Sequence, residues 1–267
     1  MGHDDMRKII LALTSIAILS CDGLIYAGEI EPIQSPWKGF YLGVNGGYTW
    51  SNASTSVTPL PTPAQLPAHY LNIQPTDLTL TMSGGLLGGQ LGYNYRCSFH
   101  PNWILGLETD IDWIPSKGSI DGNATGNAAW DYTVLYNIIS THQSTTWFGT
   151  LRPRLGYIFN DFLVYGTGGL AYGNMKESAN INYAAAGYGN EAYPYSTNST
   201  NTGWTVGGGF EWTPKKQWSA KVEYLYYDLG TVSGIANPVP ENLPYQAKYT
   251  WSNPAQIIRL GINHYFN

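Results

Sequence analysis

Eight strand-like stretches recur along this chain, at about 40–50, 80–96, 102–114, 143–158, 162–174, 202–213, 218–228 and 254–266, and apolar and polar side chains alternate in most of them, the glycine-rich second and fifth showing no clear parity. A period of two marks a β-strand whose faces meet different surroundings. The stretch WILGLETDIDW shows it most clearly: Trp103, Leu105, Leu107, Ile111 and Trp113 share one face, and Glu108, Asp110 and Asp112 share the other. Between the strands, long polar segments (51–78, 115–142, the run SANINYAAAGYGNEAYPYSTNST, and 230–252) alternate with the short turns CSFHPN, FND and TPKKQ. Antiparallel strands joined in this order gather every long loop at one end and every short turn at the other. The pattern predicts an all-β fold: an eight-stranded antiparallel up-and-down β-barrel with four long loops and three short turns.

The two faces then need environments. Trp147, Leu151 and Leu155 oppose Arg152 and Arg154; Trp204, Val206, Phe210 and Trp212 oppose Glu211; Trp218, Val222 and Tyr224 oppose Lys221 and Glu223; Ile258, Leu260 and Ile262 oppose Arg259. With Arg96 added, Glu108, Asp110, Asp112, Glu211 and Glu223 meet Arg152, Arg154, Lys221, Arg259 and Arg96, five acids against five bases. Eight strands enclose an interior that side chains fill, and charges there must be paired. A charged lumen with an apolar exterior is a transmembrane barrel. The alternative, a soluble barrel with these charges outside, leaves its exterior thinly charged and packs its tryptophans into a narrow interior. Aromatic positions support the membrane reading. Trp103 and Trp113 lie about 33 Å apart along the strand, and a tilt near 40–45° projects this to about 24 Å, close to the apolar band between aromatic girdles. Trp50, Trp103, Trp113, Trp147, Trp204, Trp212, Trp218 and Trp251 are read as girdle residues.

Composition fits. Only 12% of residues are charged while 14% are aromatic, including 10 Trp and 21 Tyr, against about 25% charged in ordinary soluble domains. No segment of the mature chain is apolar enough to cross as a helix. A net charge of −5 argues against a nucleic-acid surface. At the N-terminus, Met6, Arg7 and Lys8 precede the apolar run IILALTSIAIL, a signal-peptide pattern. Cleavage after Ala27 is favoured over a lipoprotein site at Cys21, which divides the chain into a signal peptide (1–27), a periplasmic segment (28–36) and the barrel (37–267). Cys97 is then the one thiol left, so no intramolecular disulfide forms.

The motifs WKGFYLGVNGGYTW, LGGQLGYNY, WILGLETDIDW, TLRPRLGYIFNDFLVYGTGGLAYG, GWTVGGGFEW and IRLGINHYF, in this order over about 36–267, resemble the outer-membrane β-barrel family of small porin-like surface antigens, best represented in alphaproteobacteria and related to the OmpA transmembrane domain. The resemblance implies bacterial outer-membrane localisation, abundant surface display, and in some members adhesion or haem binding. It implies outer-membrane lipid and lipopolysaccharide as surroundings, and recognition of the last strand by the barrel assembly machinery through Phe266. Such barrels usually end on that aromatic, whereas here Asn267 follows it.

Little in the sequence points to catalysis. Side chains two apart on one strand face are about 6.6–7 Å apart, so Glu108, Asp110 and Asp112 neither share a proton nor chelate by spacing alone; pairing with Arg152 and Arg154 is the favoured reading. His142 with Ser144 is the one pair suggestive of a nucleophile, and the chain is read as a non-enzyme. Haem needs an axial His or Tyr in an apolar pocket; His69 and His142, in two of the long loops, are the candidates, and no cofactor is otherwise expected. The sequence therefore predicts a monomeric surface protein whose loops contact host or surface ligands, with a narrow passive channel and haem capture as alternatives.

Overall fold

The computed structural model describes residues 37–60, 76–98, 100–123, 134–185, 189–215, 217–239 and 246–266. Among the described residues there are nine strands: β1 (Gly39–Leu60), β2 (Thr76–Arg96), β3 (Trp103–Asn123), β4 (Val134–Phe159), β5 (Phe162–Ala185), β6 (Gly189–Ala192), β7 (Tyr195–Lys215), β8 (Trp218–Ala236) and β9 (Gln246–Phe266). Eight of them form an antiparallel ring in chain order, closed by β9 against β1, with β6 a short addition on β5. Closure removes the edges of the eight-stranded ring, the condition for crossing a bilayer with strands. β6 and β7 form one path interrupted at Tyr193–Pro194. Tyr193 turns inward there, 1% exposed, and donates its N–H to the Ile181 carbonyl at 3.0 Å.

The strands run well beyond the stretches that alternation marks. β9 has 21 residues, about 70 Å of extended chain and roughly 50 Å of height at a 45° tilt, twice the apolar band. The segments read as long loops are therefore partly barrel wall. The cause is an inversion of the pattern at the membrane boundary. Within the band β9 turns Ile258, Leu260 and Ile262 outward, each about half exposed; above it Ala247, Tyr249 and Trp251 are buried. β5 likewise exposes Val164 and Leu170 and buries Met175, Ala179 and Ile181. Lipid is the apolar medium below the boundary and the barrel interior is above it.

The lumen is consequently filled in layers. At the turn end Trp37, Tyr41, Ile104, Leu163, Tyr165 and Tyr265 pack together, with Trp37 edge-on to Tyr265 at 6.1 Å. A charged layer follows, then an apolar one containing Ile114, Phe148, Met175, Leu225 and Ile257. Above that lies a polar layer in which Gln143 donates to Asn253 and both donate to Glu177. Val57, Ile139, Ile181, Tyr193, Tyr249 and Trp251 cap the stack. Trp251 is the one girdle assignment the structure overturns. It is 0% exposed, stacks on Tyr249 and Tyr195 at 5.7 Å each, and directs its indole N–H to Thr141 Oγ1 at 3.3 Å. Trp103, Trp113, Trp204, Trp212 and Trp218 are 41–60% exposed on the outer wall, and Trp50 and Trp147 lie on the same wall against Tyr224 and Tyr172.

The polar layer carries a pH dependence. Burial raises the Glu177 carboxyl above its usual 4.5, against the opposing donors Asn253 and Gln143, and its Oε2 has no hydrogen-bond partner. A raised folded-state value means that the folded protein holds this proton more tightly than the unfolded chain, so stability falls as pH rises from about 4.5 through the raised value. Glu177→Gln is expected to be more stable than the parent at pH 7, with the difference vanishing below about pH 4.5. Urea midpoints measured across that range check this; equal midpoints at both pH values would refute it.

Candidate functional site

Two groupings stand out: the charged layer inside the barrel and a cationic depression on its outer wall. The layer is built by register. Glu108 on β3 lies directly opposite Arg152 on β4, Glu211 on β7 opposite Lys221 on β8, and Glu223 on β8 opposite Arg259 on β9. Glycines make room for it. A Cβ at Gly88 would meet Asp112 Oδ1 at 1.9 Å and the Ile111 carbonyl at 2.4 Å.

Arg152 Nη2 donates to Glu108 Oε1 at 2.7 Å, Asp110 Oδ2 at 2.8 Å and Glu223 Oε2 at 3.2 Å. Arg259 reaches Asp112 Oδ2 and Asp110 Oδ2 at 2.7 Å each, and its Nε donates to Glu223 Oε2 at 2.8 Å. Lys221 Nζ donates to Glu108 Oε1 at 3.0 Å. Arg154 binds Glu211 Oε2 at 2.8 Å and stacks its guanidinium over Tyr165 at 3.9 Å. Three tyrosines complete the shell: Tyr41 donates to Glu108 at 2.6 Å, Tyr165 to Glu223 at 2.7 Å and Tyr265 to Glu211 at 2.9 Å. All nine charged residues are at most 3% exposed. Charge-assisted bonds of this length hold buried carboxylates that would otherwise be strongly disfavoured.

Arg96 does not join them. It has the right parity but sits at the turn end, where its Nε donates to the Pro101 carbonyl. The layer therefore holds five acids and four bases. The tyrosine donors were not singled out from the sequence. The signal available was their inward parity, since Tyr41 and Tyr265 alternate with the outward Leu42 and Phe266.

His69 lies outside the described residues. His142 stands exposed on the outer wall of β4, beside an open depression of about 590 Å³ bordered by Lys117, Ser119, Ser144, Lys176 and Ser178. These polar neighbours provide no apolar wall for a haem beside His142. Ser144 follows His142 two residues on along the same face, about 7 Å away, beyond hydrogen-bonding reach.

A closed, even-stranded barrel with an apolar belt, aromatic borders and a charged, filled interior has the anatomy of an outer-membrane protein. A family model described as the outer membrane protein beta-barrel domain matches residues 11–250. The chain belongs to this family. Among relatives of the family barrel, the 31 kDa outer-membrane immunogenic protein of Brucella melitensis biotype 1 is 32% identical over 239 residues, covering 84% of this chain and 88% of its own. The 22 kDa outer membrane protein of Rhizobium leguminosarum bv. viciae is 27% identical over 201 residues, covering 74% and 67%. The crystal structure of OprG from Pseudomonas aeruginosa aligns with 88% of this chain and 99% of its own at 14% identity and a TM-score of 0.46. The protein is an outer-membrane β-barrel and resides in the bacterial outer membrane.

Proposed function

We propose that this outer-membrane barrel is a solid, non-conducting scaffold that displays its extracellular wall and loops for contact with molecules outside the cell. The observation that carries the reading is the charged layer: eleven ion pairs of 4.0 Å or less link nine side chains from β3, β4, β7, β8 and β9. Apolar clusters lie above and below it. A solute crossing this section must break several buried ion pairs at once, each a loss of order 3–5 kcal/mol when one partner is removed. Surface display is supported by the name of the Brucella relative, which calls that protein immunogenic, and by a wall that rises above the girdle with polar residues outward. Planar-bilayer recording of the purified monomer is the test. No steady conductance is expected; steady nanosiemens channels would overturn the reading in favour of a narrow porin.

A further inference from the structure

The outer wall just above the upper aromatic girdle is not uniform. On β3, β4, β5 and β7 the register places Lys117 beside Ser144, Ser144 beside Lys176 and Lys176 beside Asn198, forming one row around the barrel. The next row upward is Ser119, His142, Ser178 and Ser196. These side chains point outward, because Ser116, Gln143 and Glu177, which alternate with them, are buried at 4%, 2% and 1% exposure. The two rows border the depression of about 590 Å³. Glu177, the carboxylate at its border, turns into the lumen, where Gln143 and Asn253 donate to it. Asp121, on the outward face above Ser119 and opposite Ser140, lies outside the depression.

Height decides what meets this face. Lys117 lies four residues beyond Trp113, and Lys176 four beyond Tyr172. Four residues are about 13 Å of strand, or about 10 Å of height at barrel tilt. That is the headgroup level of the outer leaflet, above the aromatic belt. The two lysines stand two strand spacings apart, about 9–10 Å, so their flexible stems can close on one anionic group between them or bind two neighbouring ones. Among the described residues no side chain pairs with Lys117, Lys176 or His142. Across the barrel, neutral outward residues of the wall bond each other: Ser54 bonds Ser252 at 2.7 Å, and Thr81 donates to Asn52 at 3.4 Å.

We infer that Lys117 and Lys176, with the donors of His142 and Ser144, form a binding site for the phosphorylated headgroup of an outer-leaflet glycolipid. Two ammonium groups supply the charge, the hydroxyl and imidazole groups between them supply shorter-range hydrogen bonds, and the girdle below seats the acyl chains. The inference rests on the outer-membrane placement of the chain and is independent of whether the lumen conducts.

The experiment uses the full folded barrel in nanodiscs of phosphatidylcholine doped with lipid A, with bound glycolipid counted by native mass spectrometry. The parent is expected to retain lipid A and to retain its dephosphorylated form at least tenfold less. Lys117→Ala combined with Lys176→Ala is expected to lower lipid A retention at least tenfold. Lys38→Ala with Lys215→Ala, which removes the same charge at the opposite end, should leave it unchanged. Equal retention by the first double variant, an equal loss in the second, or complete displacement by free inorganic pyrophosphate would each overturn the proposal. The heat-dependent gel shift verifies that each variant is a folded barrel. Failure to insert at all would instead count against the membrane placement, so the two failures are distinguishable.

Discussion

Replacing Arg259 by leucine will lower the stability of the barrel by about 3–5 kcal/mol, the usual range for deleting one partner of a buried ion pair. Arg259 is 1% exposed and ion-pairs at 2.7 Å or less with Asp110, Asp112 and Glu223. Its removal leaves five acids facing three bases in a buried layer. Arg152 and Lys221 remain near Asp110 and Glu223, but Arg259 supplies the ion pair of Asp112. Adding Asp112→Asn to Arg259→Leu should therefore recover part of the loss, because the orphaned charge goes with it. Urea unfolding in lipid vesicles, followed by tryptophan fluorescence and by the gel shift of the folded form, measures both effects. An unchanged midpoint for Arg259→Leu would mean that water solvates this layer and that the lumen is not closed there.

Trp251→Ala should have an effect of similar size in a different place. A fully buried tryptophan truncated to alanine loses about 3–5 kcal/mol through transfer and cavity terms. Trp251 sits in the capping cluster, above the membrane band, between two stacked tyrosines. Proteins open in local units, and the ring below the cap has its own apolar and ionic layers. The expected outcome is a protein that keeps its heat-dependent gel shift but becomes cleavable by trypsin at Lys248 or Lys176 in intact vesicles, where the parent is protected. If Trp251→Ala is as resistant as the parent, the extracellular wall is not held by this core.

The transmembrane crossing was legible because lipid imposes one rule on every strand: outward positions must be apolar and inward ones need not be. Trp103 to Trp113 carries that rule in a single stretch, and the alternation of long and short connections carries the topology. The extracellular wall was not legible by the same rule. Residues such as Ala53, Val57, Ile139, Ile181 and Tyr249 keep a period of two, but their apolar phase is the reverse of that in the membrane, and the Ser, Thr and Asn between them read as loop. For that reason alternation alone puts Trp251 on the girdle, whereas the fold buries it. A search for a phase reversal after each upper tryptophan would have found the wall. Arg96 shows the complementary limit: parity states which way a side chain points, but not whether the lumen at that height is closed or opens to the rim.

The sequence by itself determined the fold class, the faces of the five crossings that alternate clearly and the signs of the charges inside, because these follow from periodicity and from what lipid excludes. Only the tertiary structure decided which charges meet, since Arg259 on the last strand reaches Asp110 and Asp112 on β3 across the lumen, and strand order around a ring says nothing of side-chain reach through its centre. It also decided that Lys117 and Lys176, 59 positions apart in the chain, flank one strand on the outer wall. That juxtaposition depends on inter-strand register, which is fixed by the packing of the whole barrel and not by either segment alone.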